Sequence, residues 1–342
     1  MEIIRRFLEE SYLLFKPLIF AATKNNPEIA HNFIINKANY LNEKNLDKFL
    51  FDCSVNKKYS GLELSPAAGF NKNGDIHPLF LKYLGFERVV VGTVTHDFWE
   101  GNPKPSIMRY PESESLVNWM GLPGKGSKRV AEKLQSYGNY NVPLTINLMS
   151  TPQKQGKELM KDLEGTVLDL RDIKGVDRFE LNISCPNTHN KSGKMDSRSE
   201  YQEQIGEMLY TLRKLILPSQ ELYLKVSPDL DIEGVEEIIS VIKEHTIKGI
   251  VSTNTTTNHD PRYIADSPGK GGASGNAVYE SSLKVQKMFN KLKDNNLKII
   301  ACGGIDSIER LNERLNNGAI EIQIYTPLIF KGPKLLRKLK DR

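Results

Sequence analysis

The sequence predicts an α/β protein built as a (β/α)8 TIM barrel with a small N-terminal helical extension. Three observations carry that prediction. From about residue 62, eight short apolar or β-branched runs recur along a chain of 342 residues; helical patterns lie between most of them; and polar side chains or glycines follow the same end of all eight. Strands alternating with helices mark a parallel sheet, and in a barrel function gathers where strands hand over to the loops that follow. A doubly wound open sheet has the same rhythm, but no G-x-G-x-x-G follows an early strand, which weakens that version. Length alone suggests two domains, yet α/β barrels reach this size as one. We divide the chain into a helical region, residues 1–50, and a barrel, residues 51–342.

Residues 1–50 read as helical. Pro17 is expected to end or kink the first segment. Asn26-Pro27-Glu28 suits the start of a second: a capping amide, proline at the first helical position and an acid in the first turn. No cleavable signal is evident, and the apolar run 13–22 is interrupted by Lys16 and Pro17. It falls far short of the ~20 residues a spanning helix needs. The expected strands are 62–66, 88–91, 144–148, 178–183, 222–226, 249–252, 298–301 and 320–324, with helices such as 201–215, 232–244 and 278–292 between them.

A net charge of +5 is small for this length, and charges of both signs are mixed, so no nucleic-acid partner is expected. The three cysteines, Cys53, Cys185 and Cys302, are odd in number and lack C-x-x-C spacing. They read as reduced thiols of a cytosol-facing protein. His189 lies near Cys185 without a zinc-type spacing, so no metal is expected.

The strand ends carry the chemistry. In order they read "AAGFNKNG" (67–74), "GTVT" (92–95), Asn147 within "TINLMS", "NISCPNT" (182–188), Lys225 within "LKVSPDL", "STNTTT" (252–257), "CGGID" (302–306) and "IYTP" (324–327). Gly303-Gly304 fits a plain turn or, with Tyr325-Thr326, a backbone amide cradle for phosphate. Lys225, inside an apolar run, fits a lysine snorkelling to water or a cation serving an anionic cofactor. Asn182, Asn187 and Asn254 fit turn formers or amides gripping a planar ligand with imide and carbonyl edges. A lone thiol such as Cys185 is most often a small buried hydrophobe.

Taken together, "AAGFNKNG", "GTVT", "GNPKP", "NWMGLP", "NISCPNT", "STNTTT", "GGASG", "CGGIDS" and "IYTPLIFKGP" resemble dihydroorotate dehydrogenase, an FMN-containing barrel enzyme of pyrimidine synthesis, over nearly the whole chain. By position, the resemblance implies that Ala68, Gly69, Thr93, Asn147, Asn182, Lys225, Thr253, Gly275, Gly304, Tyr325 and Thr326 hold FMN. Lys72, Asn118, Asn182, Asn187, Asn254 and Thr255 would hold dihydroorotate, helped by Trp119 and by the backbone of Met120, Gly121 and Leu122. Cys185 would be the base that takes a proton from C5 of dihydroorotate while a hydride leaves C6, producing orotate.

Within the family, "NPEIAHNF" (26–33) and helical residues 1–50 resemble the membrane-associated, quinone-using class, in which His31, Arg109 and Tyr325 would approach a membrane quinone. That class implies peripheral association with the cytoplasmic face of the cell membrane. Two features depart from it. The quinone class has serine where this chain has Cys185, and "MGLP" (120–123) leans towards the soluble class. Alternatives are a soluble enzyme using fumarate or NAD, a flavin-dependent tRNA dihydrouridine synthase, and a ligand-binding barrel without catalysis. The extension argues against fumarate; the NAD form needs a separate iron–sulfur subunit. The synthase carries a helical RNA-binding domain after its barrel, where about one helix is expected here.

Overall fold

The computed structural model describes residues 61–183 and 198–341, with isolated positions between residues 16 and 40. Residues 16–18 are helical, so the first helix does not stop at Pro17. The expected start at Asn26-Pro27-Glu28 lies outside the described residues, as do His31, Cys53, Cys185 and Asn187.

Eight strands form one sheet: β1 (Glu63–Pro66), β2 (Val89–Val94), β5 (Leu144–Leu148), β6 (Val176–Asn182), β7 (Glu221–Val226), β8 (Gly249–Ser252), β10 (Lys298–Cys302) and β11 (Ala319–Ile324). Their spatial order is β1-β11-β10-β8-β7-β6-β5-β2, and every pair is parallel. The loop after β1 closes the ring against β2: Asn71 bridges to Val91, and the Gly69 amide donates to the Gly92 carbonyl at 2.6 Å. This is the (β/α)8 barrel that the repeated runs predict, and all eight expected strands are present within two residues at either end except β2.

That strand continues to Val94, so "GTVT" begins inside it instead of after it. The continuation runs through Gly92 at φ +124°, where a Cβ would come within 2.1 Å of the Asn147 carbonyl oxygen. Only glycine lets the two backbones approach this closely. The pairing register with β5 shifts between Val91 and Val94, and Thr93 lines the barrel mouth.

The helices cover the barrel with one apolar stripe each. In Ile232–Glu244 the buried set includes Val235, Ile238, Ile239 and Ile242, the three- and four-residue spacing of a single helix face. Asp231 caps it by accepting from the Gly234 amide at 2.9 Å, a contact worth about 1 kcal/mol. This helix has the expected bounds, while Arg198–Leu215 and Asn276–Leu292 begin two or three residues earlier than expected. Two short helices, Thr326–Lys331 and Lys334–Lys340, follow β11 where about one was expected.

A second, antiparallel sheet had no counterpart in the expected elements. It joins β3 (Ile107–Tyr110), β4 (Ser115–Asn118) and β9 (Gly272–Gly275) in the order β3-β4-β9. These strands have four residues each, and β9 reads "GASG", a composition of low strand propensity. β9 forms because β4 supplies a register in which Val117 faces Ala273. Long-range pairing overrides the local signal here, and the sheet becomes one wall of the barrel mouth.

Candidate active site at the carboxyl end of the barrel

Side chains of alternate residues point into the barrel. Arg178, Glu180 and Asn182 on β6 therefore share the inner face, as do Glu321 and Gln323 on β11. Deep in the barrel, Arg178 pairs with Glu321 at 2.6 Å, and Ser65 donates to the same carboxylate at 3.0 Å. Burial still pushes the Glu321 carboxyl up, against the pull of Arg178. One layer nearer the mouth, Glu180 accepts from Asn147 at 2.6 Å and from Gln323 at 2.9 Å, and lies 3.6 Å from the Lys225 ammonium. Lys225 also donates to Gln323 at 3.2 Å. At the rim, Asn254 donates to Asn182 at 3.1 Å, Asn182 to Thr93 at 3.2 Å, and Thr93 to Asn147 at 2.5 Å.

Lys225 is thus buried and does not snorkel. Its cation is held by Glu180 and Gln323, two residues the sequence reading missed. The signal was present in the period of two that places Glu180 between Arg178 and Asn182, and Gln323 two residues after Glu321.

Above this layer lies a cavity of about 220 Å³. It brings together most of the residues the resemblance designates. Ala68, Gly69, Thr93, Asn182, Lys225, Thr253, Gly275, Gly304, Tyr325 and Thr326 line it, and so do Lys72, Asn118, Met120, Gly121, Leu122, Asn254, Thr255 and Arg109. Asn147 sits below and braces Glu180 and Thr93. The Trp119 side chain turns away: it packs with Val117, Ile264 and Ala273, and its carbonyl accepts from Asn102 at 2.6 Å. Lys16 joins the cavity wall and donates to the Phe330 carbonyl at 3.0 Å.

One end of the cavity is built for an anion. Gly275 (φ +80°) and Gly304 (φ +65°) meet there, and a Cβ on Gly304 would lie 2.5 Å from the Gly275 carbonyl oxygen. The helix Asn276–Leu292 starts at Gly275 with no side-chain cap. Among the described residues, the N–H groups of Gly304 and Ile305 have no protein acceptor. The Ser274 and Thr326 hydroxyls stand 2.8 Å apart on the same wall. Free amides, a helix N-terminus and no room for side chains suit a phosphate group. The plain-turn reading of Gly303-Gly304 does not account for them.

Tyr325 packs edge to face on Phe70, with centroids 5.6 Å apart, and burial pushes its phenol up to about 12. Cys302 also borders the cavity, but burial pushes its thiol up, against the smaller pull of Lys225. It is therefore expected to stay protonated and inert. Iodoacetamide at pH 8 should leave Cys302 unmodified in folded protein, as read by peptide mass mapping. Labelling at the rate of a denatured control would contradict that assignment.

Fold and site together define a barrel enzyme whose mouth has a glycine cradle suited to a phosphate group, with a buried cation and a ring of amides beside it. The dihydroorotate dehydrogenase family model matches residues 55–342, and the chain belongs to that family. With the family comes a flavin as cofactor. A dihydroorotate dehydrogenase (quinone) from Thermosynechococcus vestitus is 30% identical, covering 95% of this chain and 94% of the relative. The protein of the same description from Legionella pneumophila is 29% identical, covering 96% and 98%. A crystal structure of DHODH from Eimeria tenella in complex with ferulenol superposes with a TM-score of 0.79 at 26% identity, covering 92% of this chain and 90% of that one.

Proposed function

We propose that this protein oxidises dihydroorotate to orotate in pyrimidine synthesis, with FMN as its flavin and a membrane quinone as the electron acceptor. The observation that carries the reading is the convergence, in one cavity, of the glycine cradle, the buried Lys225 and the amides of Asn118, Asn182 and Asn254. The cradle suits the phosphate of FMN. When bound, FMN supplies a two-electron acceptor next to the substrate. Lys225 offers a positive charge to an anionic cofactor edge, and the amides present donors and acceptors to the imide and carbonyl edges of a pyrimidine ring. The Lys72 ammonium lines the same cavity, 2.9 Å from the Met120 sulfur, and its positive charge suits the substrate carboxylate. Cys185, with Asn187 beside it in sequence, is the base that removes the C5 proton.

The quinone rests on separate support. The Thermosynechococcus and Legionella relatives, both described as quinone enzymes, match along more than nine-tenths of the chain. Their match thus reaches into residues 1–50, which we assign as a quinone-access region beside the catalytic barrel, 51–342. Lys16 of that region touches the cavity wall, which also includes the apolar side chains of Ile107, Leu116, Pro327 and Ile329. Arg109, Tyr325 and His31 are the quinone-site candidates. Among the described residues no helix is long and apolar enough to cross a membrane. An amphipathic start, with Ile3, Ile4, Phe7 and Leu8 beside Arg5 and Arg6, suits peripheral attachment at the cytoplasmic face.

Turnover of dihydroorotate with ubiquinone and menaquinone analogues, fumarate and NAD, compared side by side, tests the acceptor. Deleting residues 1–40 is expected to abolish quinone reduction and spare flavin bleaching by dihydroorotate. A folded truncation with full quinone turnover, or an intact protein that prefers fumarate or NAD, would overturn the assignment.

A further inference from the structure

We infer that Arg310 and Arg314 are positioning residues for the cofactor phosphate: they clamp the carbonyls of Gly304 and Gly303, and so aim the amides of that loop at the phosphate site. The inference rests on the FMN reading and deepens it.

Both arginines lie on the helix Ile308–Asn316, directly after the glycine loop. Arg314 is fully buried. Its Nη2 donates to the Gly303 carbonyl at 2.8 Å and the Tyr279 carbonyl at 3.3 Å, and its Nη1 to the Gln286 amide oxygen at 3.0 Å. These acceptors are all neutral, and no ion pair of Arg314 occurs among the described residues. Arg310, only partly buried, donates through Nη1 to the Gly304 carbonyl at 2.9 Å, to Asp306 at 3.1 Å and to the Asn276 side chain. The two guanidinium groups share the ring of Tyr279, at 4.1 and 4.9 Å from its centroid.

The geometry of the peptide unit turns these clamps into an aiming device. In a trans peptide the C=O of one residue and the N–H of the next point in opposite directions. Among the described residues the cis bonds lie at Gly92-Thr93, Lys104-Pro105 and Ser252-Thr253, so both peptides of the loop are trans. Holding the Gly303 carbonyl towards the helix therefore directs the Gly304 N–H away from it. Holding the Gly304 carbonyl does the same for the Ile305 N–H. Those two amides lack protein acceptors, and both residues line the cavity.

Stability alone gives little reason for Arg314. A buried cation without a carboxylate is costly, and an apolar side chain of similar volume would commonly serve better. Burial lowers the guanidinium to about 10, which leaves it charged at neutral pH. What an arginine provides is a rigid fork of donors that holds several carbonyls at once.

Riboflavin has the flavin ring without the phosphate and separates this role from a structural one. Flavin-stripped protein is titrated with FMN and with riboflavin, and binding is read by flavin fluorescence. The parent protein should prefer FMN strongly. In Arg310→Met and Arg314→Met the ratio of the two dissociation constants should fall about 10–100-fold, the weight of a hydrogen bond or two to a charged group, with riboflavin affinity nearly unchanged. Arg310 is partly exposed, so Arg310→Met decides the matter if Arg314→Met does not fold. A folded Arg310→Met that keeps the parental ratio overturns the inference, whether or not both affinities drop together. A parent protein without preference for FMN would instead overturn the FMN reading on which the inference rests.

Discussion

Replacing Cys185 with alanine is expected to slow flavin reduction by dihydroorotate about 10²–10⁴-fold, the usual contribution of a general base. Orotate binding should change little, because Lys72, Asn118 and Asn254 remain in the cavity. A free thiol has a pKa of ~8.5, and neighbouring groups lower it by several units. A base must be deprotonated to act, so flavin reduction in the parent protein should rise with pH and level off above the thiol's pKa. Cys185→Ser is the sharper variant. A serine hydroxyl is a far weaker acid and depends on a neighbour or water to carry the proton away. If a neighbour or water in this pocket can carry the proton away, serine should keep substantial activity and move the pH limb upward. If the pocket is adapted to a thiolate, serine should behave nearly like alanine. Rapid-mixing bleaching of the flavin across pH reads these outcomes. A Cys185→Ala protein that bleaches at the parental rate would reduce Cys185 to a packed thiol.

Lys225→Met is expected to have the largest effect on stability. Lys225 and Glu180 are both almost wholly buried and lie 3.6 Å apart. Removing the cation leaves Glu180 as a buried carboxylate supported, among the described residues, by the amides of Asn147 and Gln323. Breaking one side of such a pair costs roughly 3–5 kcal/mol. Glu180→Gln combined with Lys225→Met removes both charges and should recover much of that loss. Flavin retention should stay low in both proteins, because the cation facing the cavity is gone in each. Urea unfolding gives the stabilities, and absorbance of the purified proteins gives the flavin content. A single variant as stable as the parent would show that the pair does not act as a buried ion pair. Full flavin content in the double variant would remove Lys225 from cofactor binding.

The strands of the barrel were legible because parallel strands are buried on both faces, which writes each of them as a short apolar run. Residues 144–148 and 249–252 were read with the bounds they have. Helix 232–244 was equally clear, since its buried positions follow a single face. The sheet of β3, β4 and β9 was not legible. Its strands carry polar and small residues in place of a buried apolar run, and "GASG" reads as a turn until Val117 and its neighbours pair with it. The motif positions at the strand ends were readable as a set, and the cavity gathers them. Trp119 is instructive: its place in "NWMGLP" says nothing about the direction of its side chain, which packs against Ile264 outside the cavity.

What the sequence determined by itself was therefore the barrel, the family, and most of the positions at the strand ends that line the cavity. These follow from local periodicity and from motifs within a few residues of one another. The tertiary structure decided which groups answer one another across the barrel. The pairing of Glu180 with Lys225, the support of Glu180 by Gln323, and the clamps from Arg310 and Arg314 to the glycine loop depend on register and on side-chain direction. A strand records that its second residue faces inward; only closure of the ring determines which charge it meets there, because that partner comes from another strand far along the chain.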